Sequence, residues 1–420
     1  AEGNSAFGKG ALTSNTTGGY NTSVGTSSLQ QNSSASGNTA VGNQSLKANT
    51  TGVNNVAVGY KSLLSNTNGA RNCAVGMLSL DANTTGNNNI AFGVNALGSN
   101  VSGSNNVGLG KDCLEENTAS NNTGVGFSAL QKNTTGDKNV AVGATALDAN
   151  TTGDNNVAVG YKALTSATTA DGNTALGYGA LEGNTTADNN TAMGFFALSF
   201  NTTGDNNVAI GNSAMIVNTT GRVCTAVGVN SLESNTTGDN NSAIGIDSGK
   251  DCTTGDNNTF LGHDAGRSIS PSGSITTGSN NIVLGNNSVS NLFCADTSIS
   301  SSDSRDKTDI TSFNIGLDWI KALRPVTYRW DRRTWYGTDA EPYGTPDGSK
   351  KRARLHIGFL AQEALEVEKA NGYGTSNDDS LLVNLTEDGM SYGMKYERLV
   401  PILVNAIKEL SAKVTALEAG

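Results

Sequence analysis

Residues 139–155 read NVAVGATALDANTTGDN, and variants of this 17-residue unit run through most of the 420-residue chain. Regular units start at residues 4, 21, 38, 55, 72, 89, 106, 122, 139, 156, 173, 190, 207, 224 and 241, with one 16-residue unit at 106–121. Two divergent copies start at Asn258 and Asn281, and the stretch 268–277 is inserted between them. Repetition at a short fixed period is typical of solenoid proteins.

The residue types within one unit favour strands and turns over helix. Positions 2–4 alternate large and small apolar residues, which is the period of a β-strand. Position 5 is glycine in every unit, which implies a positive φ or the close approach of neighbouring chain. The TTGDN segment is typical of turns, and the density of glycine and asparagine excludes a helix. We therefore predict a mainly β protein, a parallel β-solenoid or β-roll with one unit per coil, whose asparagines at positions 1, 12 and 17 stack as amide ladders.

A single coil offers few large apolar side chains to offset the entropy lost when its residues become ordered. We therefore expect a core shared between several chains. The unit also resembles the head repeats of trimeric autotransporter adhesins, as in the NVAIG block at 207–211. That resemblance implies a homotrimer.

The sequence changes character near residue 302. Four blocks follow in order: SDSRDKTDI at 302–310, LDWIKALRPVTYRW at 317–330, IGFLAQE at 357–363 and YERLVP at 396–401. This ordered set is similar to the endosialidase-type intramolecular chaperone found at the C-termini of phage tailspikes and tail fibres. The resemblance implies a small α+β chaperone domain over 302–420, following a fibre over 1–301 in which 4–257 is regular and 258–301 is degenerate.

The chaperone resemblance also implies self-cleavage by a serine–lysine pair. It assigns Ser302 as nucleophile and Lys307 as general base, with the cleaved bond between Ser301 and Ser302, and Asp303 and Arg305 as supporting motif residues. A lysine base must be neutral, so burial has to lower its pKa. Residues five apart lie on opposite faces of a strand, so a bend or a neighbouring chain must bring this pair together. The alternative interpretation of SDSRDK is a polar linker.

The C-terminal tail repeats apolar residues with 4-3-4-3 spacing after Pro401, a residue that suits a first helical turn. The spacing predicts a coiled-coil helix with the seam Leu403, Ile407, Leu410, Val414 and Leu417. A core-facing amphipathic helix is the alternative. β-Branched residues alternating with leucine favour two strands, but we expect a trimer because the coil is short and the rest of the domain constrains it.

Composition narrows the classes of function. A net charge of −10 and an isoelectric point near 4.8 argue against a nucleic-acid partner. The sequence contains no run of 18 apolar residues, so no membrane-spanning helix is predicted. Five cysteines without paired spacing favour assembly in a reducing compartment. The two histidines, His263 and His356, form no ligand cluster in the sequence, and we expect no cofactor.

Position 16 is an aspartate in many units, and stacked carboxylates are a weak candidate for Ca²⁺ binding. The alternative is an exposed turn column whose charges are solvated. The column consists of Asp137, Asp154, Asp171, Asp188, Asp205, Asp239 and Asp256.

Taken with the resemblances, these patterns predict a host-binding tail fibre of a phage or phage-like particle, assembled in the host cytoplasm and carried on the virion. Its expected partners are its sister chains, a glycan or protein receptor on the host surface, and an upstream tail or baseplate protein. Two alternatives are a bacterial cell-surface adhesin and an ice-binding solenoid suggested by the threonines at positions 13 and 14. Adjacent threonines point to opposite faces, which opposes a flat ice-binding array.

Overall fold

A computed structural model describes residues 2–289, 310, 312–333, 336–337, 343–376, 379–385 and 392–419. The chain forms two compact units, the first comprising Ala1–Ala265 with Thr276–Val283 and the second Gly266–Ile275 with Leu284–Gly420. The predicted boundary between Ser301 and Ser302 lies outside the described residues.

The first unit is a parallel β-solenoid, as predicted. Positions 2–4 of every repeat form a three-residue strand, and each of these strands lies in one parallel sheet. The register pairs each residue with its equivalent one repeat later, as in Val157 with Thr174 and Ala158 with Ala175. One repeat therefore makes one coil. The strands, β1 to β17, are Ser5–Phe7, Thr22–Val24, Thr39–Val41, Val56–Val58, Cys73–Val75, Ile90–Phe92, Val107–Leu109, Thr123–Val125, Val140–Val142, Val157–Val159, Thr174–Leu176, Thr191–Met193, Val208–Ile210, Thr225–Val227, Ser242–Ile244, Thr259–Leu261 and Ile282–Leu284.

The glycine at position 5 is required for both of the reasons that the sequence suggested. Gly160 has a φ of 138°, a region that only glycine enters readily. A Cβ atom placed on Gly160 would lie 2.3 Å from the carbonyl oxygen of Gly177 on the next coil. The same coil also holds non-glycine residues in the left-handed region, including Lys162 at position 7 and Leu164 at position 9. Each coil therefore turns through several left-handed residues.

The interior of the solenoid contains two columns of asparagine, interrupted by Cys224 at position 1 and by Ala167 and Cys252 at position 12. At position 1, the backbone N–H of Asn72 donates to Oδ1 of Asn55 at 2.9 Å, and Nδ2 of Asn72 donates to the carbonyl of Gly86 at 2.8 Å. At position 12, Nδ2 of Asn83 donates to Oδ1 of Asn66 at 2.8 Å. Asparagines in both columns are fully buried. The predicted ladders at positions 1 and 12 are confirmed, whereas position 17 is exposed and forms only some contacts of this kind.

The apolar part of the core is narrow. In the coil that starts at Asn156, Ala158, Ala163 and Leu164 are completely buried. The large residues on either side of the strand alanine point outward, because alternate residues of a strand face opposite sides. In most strands the small middle residue therefore fills the coil, and the leucine at position 9 is the main large apolar side chain inside it, whereas β16 buries Phe260.

The second unit is a small α+β domain. Strands β18 and β19 form one antiparallel pair and β20 and β21 another. Its core is the cluster Trp319, Leu323, Ala361, Ala364, Leu382, Val383, Leu399 and Ile402. Its elements in order are α1 Leu317–Ala322, β18 Val326–Tyr328, β19 His356–Gly358, α2 Ala361–Lys369, β20 Val383–Leu385, β21 Tyr392–Met394, a 3-10 helix Tyr396–Arg398 and α3 Leu399–Glu418.

Candidate functional site

The residues predicted to perform self-cleavage fall outside the described part of the chain. Ser301, Ser302, Asp303, Arg305 and Lys307 all lie between 290 and 309. Their assignment as cleavage site, nucleophile, base and supporting residues stays a prediction.

The structure brings together two of the sequence blocks that carry the chaperone resemblance. Val326 pairs with Gly358 and Tyr328 with His356 across the β18–β19 ladder. The Tyr328 ring also stacks on the His356 ring, with centroids 5.6 Å apart. Partial burial raises the pKa of the Tyr328 phenol, and the nearby phenol of Tyr396 raises it further. The blocks at 317–330 and 357–363 therefore form one packed element.

Helix α3 presents different residues to the domain and to its surroundings. Leu399, Ile402 and Ala406 are buried against the domain core. The predicted seam lies on other faces of the helix and is exposed, from 43% at Leu403 to 81% at Leu417. Its remaining members, Ile407, Leu410 and Val414, are exposed by 66%, 51% and 45%. The core-facing alternative is therefore wrong for the seam residues, since the domain packs against a different stripe of the helix.

A buried carboxylate that the sequence analysis missed organises the segment before β20. Glu368 is completely buried near the end of α2. It accepts hydrogen bonds from the Ser380 hydroxyl at 2.9 Å, from the Val383 N–H at 3.1 Å, and also from the N–H groups of Leu381 and Leu382. Ala361, Ala364 and Glu368 share one helix face at spacings of three and four. A charged residue on an otherwise apolar face is the signal that could have identified this group.

The outer face of the solenoid sheet, which we call the strand face and define by the residues at positions 2 and 4, carries a large apolar residue at position 4 of every strand and an apolar residue, serine or threonine at position 2. Representative side chains are Phe92, exposed by 53%, and Leu176, exposed by 45%. A row of aromatic rings continues it at position 6, where Tyr161, Tyr178 and Phe195 follow one another at centroid distances of 5.3 Å. An extended apolar surface of this kind is typical of an interaction site.

The aspartates at position 16 bond to the backbone of the neighbouring coil. Oδ1 of Asp171 accepts the N–H of Asp154 at 2.7 Å, and Oδ1 of Asp188 accepts the N–H of Asp171 at 2.8 Å. Serine occupies the same position elsewhere, and the Ser36 hydroxyl accepts the N–H of Gly19 at 3.0 Å. The column thus has a structural role in joining coils, and Ca²⁺ binding by it stays a prediction.

The two threonines of each repeat differ in their surroundings. At position 13, the Thr50 hydroxyl donates to the carbonyl of Thr67 at 3.1 Å, and Thr67 repeats the contact to Thr84. At position 14, Thr51 is exposed. The threonine hydroxyls at position 13 are therefore used in hydrogen bonds between coils, which weakens the ice-binding alternative.

The described cysteines are structural. Cys224 replaces an asparagine at position 1, and its Sγ donates to the carbonyl of Gly238 at 3.2 Å. Burial raises the pKa of Cys113 and of Cys224 to about 12, so both thiols stay protonated at neutral pH and are poor nucleophiles. Among the described residues, none of the helices combines the length and apolar character that a membrane crossing demands.

Comparison with known proteins identifies one region of the chain. Residues 302–373 match the family model described as the chaperone of endosialidase, a family found in phage tail proteins. No curated protein and no solved structure matches the chain. The chain thus carries a chaperone-of-endosialidase segment at 302–373, after a parallel β-solenoid of 17-residue repeats.

Proposed function

We propose that this chain is the fibre subunit of a phage or phage-like particle, and that its C-terminal unit assembles three copies in one register. The family match and the solenoid support a tailspike-like or tail-fibre-like protein. The observation that carries the assembly role is the exposed seam of α3. Five apolar side chains on a helix that is already docked by its other face are costly to leave in water.

Register is the reason why such a fibre needs an assembly domain. Neighbouring coils bond through equivalent residues, so sliding one chain by one repeat against a sister chain changes few contacts except at the ends. The strand face offers nearly the same surface in every coil. A separate domain with a unique surface selects one alignment before the coils associate.

The assembly role is tested by placing a charge in the seam. Ile407→Asp with Leu410→Asp should abolish the trimer, because neither side chain belongs to the domain core and both would lie in the coiled-coil interface. Light scattering coupled to size-exclusion chromatography measures the mass. Lys413→Ala, on the exposed surface of the same helix, is the matched control. A trimer that persists in the double variant contradicts the proposal.

The register role is tested by expressing residues 1–301 alone. We expect aggregates or mixed assemblies, since the coils then lack the domain that aligns them. A uniform soluble trimer at normal yield would show that the solenoid aligns itself.

Self-cleavage between Ser301 and Ser302 is a further part of the proposal, supported by the family match, which spans both Ser302 and Lys307. Denaturing electrophoresis should show two fragments from the wild type, and one intact chain from Ser302→Ala and from Lys307→Ala. Ser304→Ala, in the same motif, should be cleaved normally. A single intact band from the wild type removes the protease role and leaves the assembly role open.

The released or intact fibre would bind a glycan or protein receptor on the host surface through the solenoid, and its other end would join an upstream tail or baseplate protein. Both partners follow from the proposed role as a tail fibre. Binding of purified fibre to host cells, compared with cells stripped of surface glycan, tests the receptor class.

A further inference from the structure

Three side chains that could bind a metal ion meet near the end of the regular coils. Asp247 and Asp264 occupy position 7 of two successive units, and His263 occupies position 6 of the second. One ligand atom from each residue lies within 4.8 Å of the other two. From the sequence alone, no ligand cluster is expected around either histidine. That expectation is wrong for His263, because stacking of the coils brings together residues that are 16 positions apart.

The ligand atoms of this cluster lie within a small movement of the spacing that one bound ion requires, with His263 and Asp264 already in hydrogen-bond contact. Nδ1 of His263 lies 2.7 Å from Oδ2 of Asp264. Two ligands at about 2.0–2.1 Å from one ion stand roughly 3 Å apart at tetrahedral or octahedral angles. The Asp264 side chain is only 4% exposed, whereas His263 is 58% exposed. An ion could therefore enter from the imidazole side and meet a buried carboxylate.

The coil backbone holds both aspartates in place. The N–H of Asp247 donates to the carbonyl of Val229 at 2.9 Å, and the N–H of Asp264 donates to the carbonyl of Ile246 at 3.1 Å. Ligands on a fixed backbone need little reorganisation to bind an ion.

Three carboxylates, those of Glu233, Asp247 and Asp264, lie in or beside the cluster. Carboxylates stacked one coil apart repel each other unless a cation compensates. The nearest ammonium, Nζ of Lys250, lies 3.3 Å from Oδ1 of Asp247 but 2.8 Å from Oε2 of Glu233. The ammonium of Lys250 is therefore shared between two of these carboxylates, while the carboxylate of Asp264 pairs with the imidazole of His263.

We propose that Asp247, His263 and Asp264 bind a divalent transition-metal ion of the zinc class. One imidazole nitrogen and two carboxylate oxygens suit Zn²⁺ with a fourth position open to water, whereas Ca²⁺ and Mg²⁺ prefer ligand sets made of oxygen alone. The ion would join the units that start at Asn241 and Asn258, immediately before the insertion. Since it binds only the folded coils, it would stabilise this end of the regular solenoid.

The test uses the full-length chain, freed of metal by a chelator that is then removed. Calorimetric titration with ZnCl₂ should show one site per chain, and Co²⁺ should give the absorption spectrum of a low-coordinate site. His263→Ala and Asp264→Asn should each weaken Zn²⁺ binding by at least about tenfold. Zn²⁺ should raise the unfolding temperature of the wild type and not that of His263→Ala.

The chain supplies its own matched control, because His356 is the only other histidine. His356→Ala should bind Zn²⁺ as the wild type does, and CaCl₂ should not compete. Circular dichroism without metal checks that each variant is folded, which the exposure of His263 favours. Equal Zn²⁺ affinity in wild type and His263→Ala, or no saturable binding by the folded wild type, would overturn the proposal.

Discussion

A coil of the solenoid and the core of the C-terminal unit are stabilised by different chemistry. A typical coil buries two asparagines, small residues and one leucine, and the same contacts recur in the next coil. The C-terminal unit buries Trp319, Leu323 and Ile402, each in surroundings that occur once, together with the single carboxylate of Glu368. Hydrogen bonds therefore fix residues along the solenoid axis without distinguishing one coil from another, whereas side-chain shape gives the C-terminal unit a unique arrangement. This contrast supports the proposal that the second unit sets the register.

The largest effect is expected where a coil tolerates no side-chain atom. Gly160→Ala would place a Cβ 2.3 Å from the carbonyl oxygen of Gly177 at a φ of 138°. Backbone of the next coil cannot move without disturbing its own ladder, so we expect destabilisation of about 4 kcal/mol or failure to fold. Thermal unfolding followed by circular dichroism measures this change.

Gly10→Ala is the control for Gly160→Ala. Gly10 also has a positive φ, of 73°, but its Cβ would meet no atom closer than 3.6 Å, and other units carry non-glycine residues at this position. A small change at Gly10 with a large one at Gly160 assigns the effect to contact between coils. Equal losses of stability in the two variants would mean that the positive φ alone causes the destabilisation.

The next largest effect concerns the buried amides. Asn66→Ala removes donors to Oδ1 of Asn49 and the carbonyl of Gly69, both at 2.9 Å, and the acceptor for Nδ2 of Asn83 at 2.8 Å. Buried groups left without partners should cost about 2–3 kcal/mol. The unfolding midpoint in urea reports the loss.

The exposed asparagines of position 17 provide the comparison for Asn66. Asn88 has a φ of 58° and lies on the surface, so Asn88→Gly should change stability by less than about 0.5 kcal/mol. Equal losses of stability in the two variants would mean that burial of the Asn66 amide does not explain its contribution.

The period, the glycine position and two of the three asparagine columns could be predicted from the sequence, because each coil repeats the same local requirement. The outward direction of Phe92 and Leu176 could not be predicted, since alternation alone does not say which side of a strand is inside. The left-handed backbone conformation of Leu164 could not be predicted from its residue type either, because leucine rarely adopts that conformation. The contact of His263 with Asp247 and Asp264 depends on stacking of specific coils, which the repeat consensus hides.

A smaller effect is expected in the C-terminal unit from Glu368→Gln. The replacement directs an NH₂ group toward backbone N–H groups that donate hydrogen bonds to the carboxylate in the wild type. We therefore expect the free energy of unfolding to fall by about 2 kcal/mol. All three tryptophans lie beyond residue 302, and tryptophan fluorescence therefore reports unfolding of this region alone. The exposed Glu366→Gln is the control, and equal midpoints for the two variants would contradict the proposed role of Glu368.

The ordered blocks predict the C-terminal unit, and the apolar spacing predicts the seam of α3. The sequence did not identify which face of α3 meets the domain, because the 4-3-4-3 pattern and the buried stripe of Leu399, Ile402 and Ala406 overlap along one apolar helix. It also missed Glu368, whose partners are mainly backbone groups that leave no residue-type signal. Contacts made by the backbone are the part of a site that sequence patterns show least.

The smallest expected effect is a gain in stability where the position-12 ladder is interrupted. Ala167 occupies that position in its unit, and Oδ1 of Asn150, one coil earlier, has no hydrogen-bond partner among the described residues. Ala167→Asn would supply a donor to this oxygen and an acceptor for Nδ2 of Asn184, giving about 1 kcal/mol. The same substitution at Ala149, a half-buried residue outside the ladder, should give no gain, and the two unfolding midpoints compare them. A loss of stability in Ala167→Asn would mean that the coil has closed around the alanine, and that its asparagine columns are less uniform than the repeat indicates.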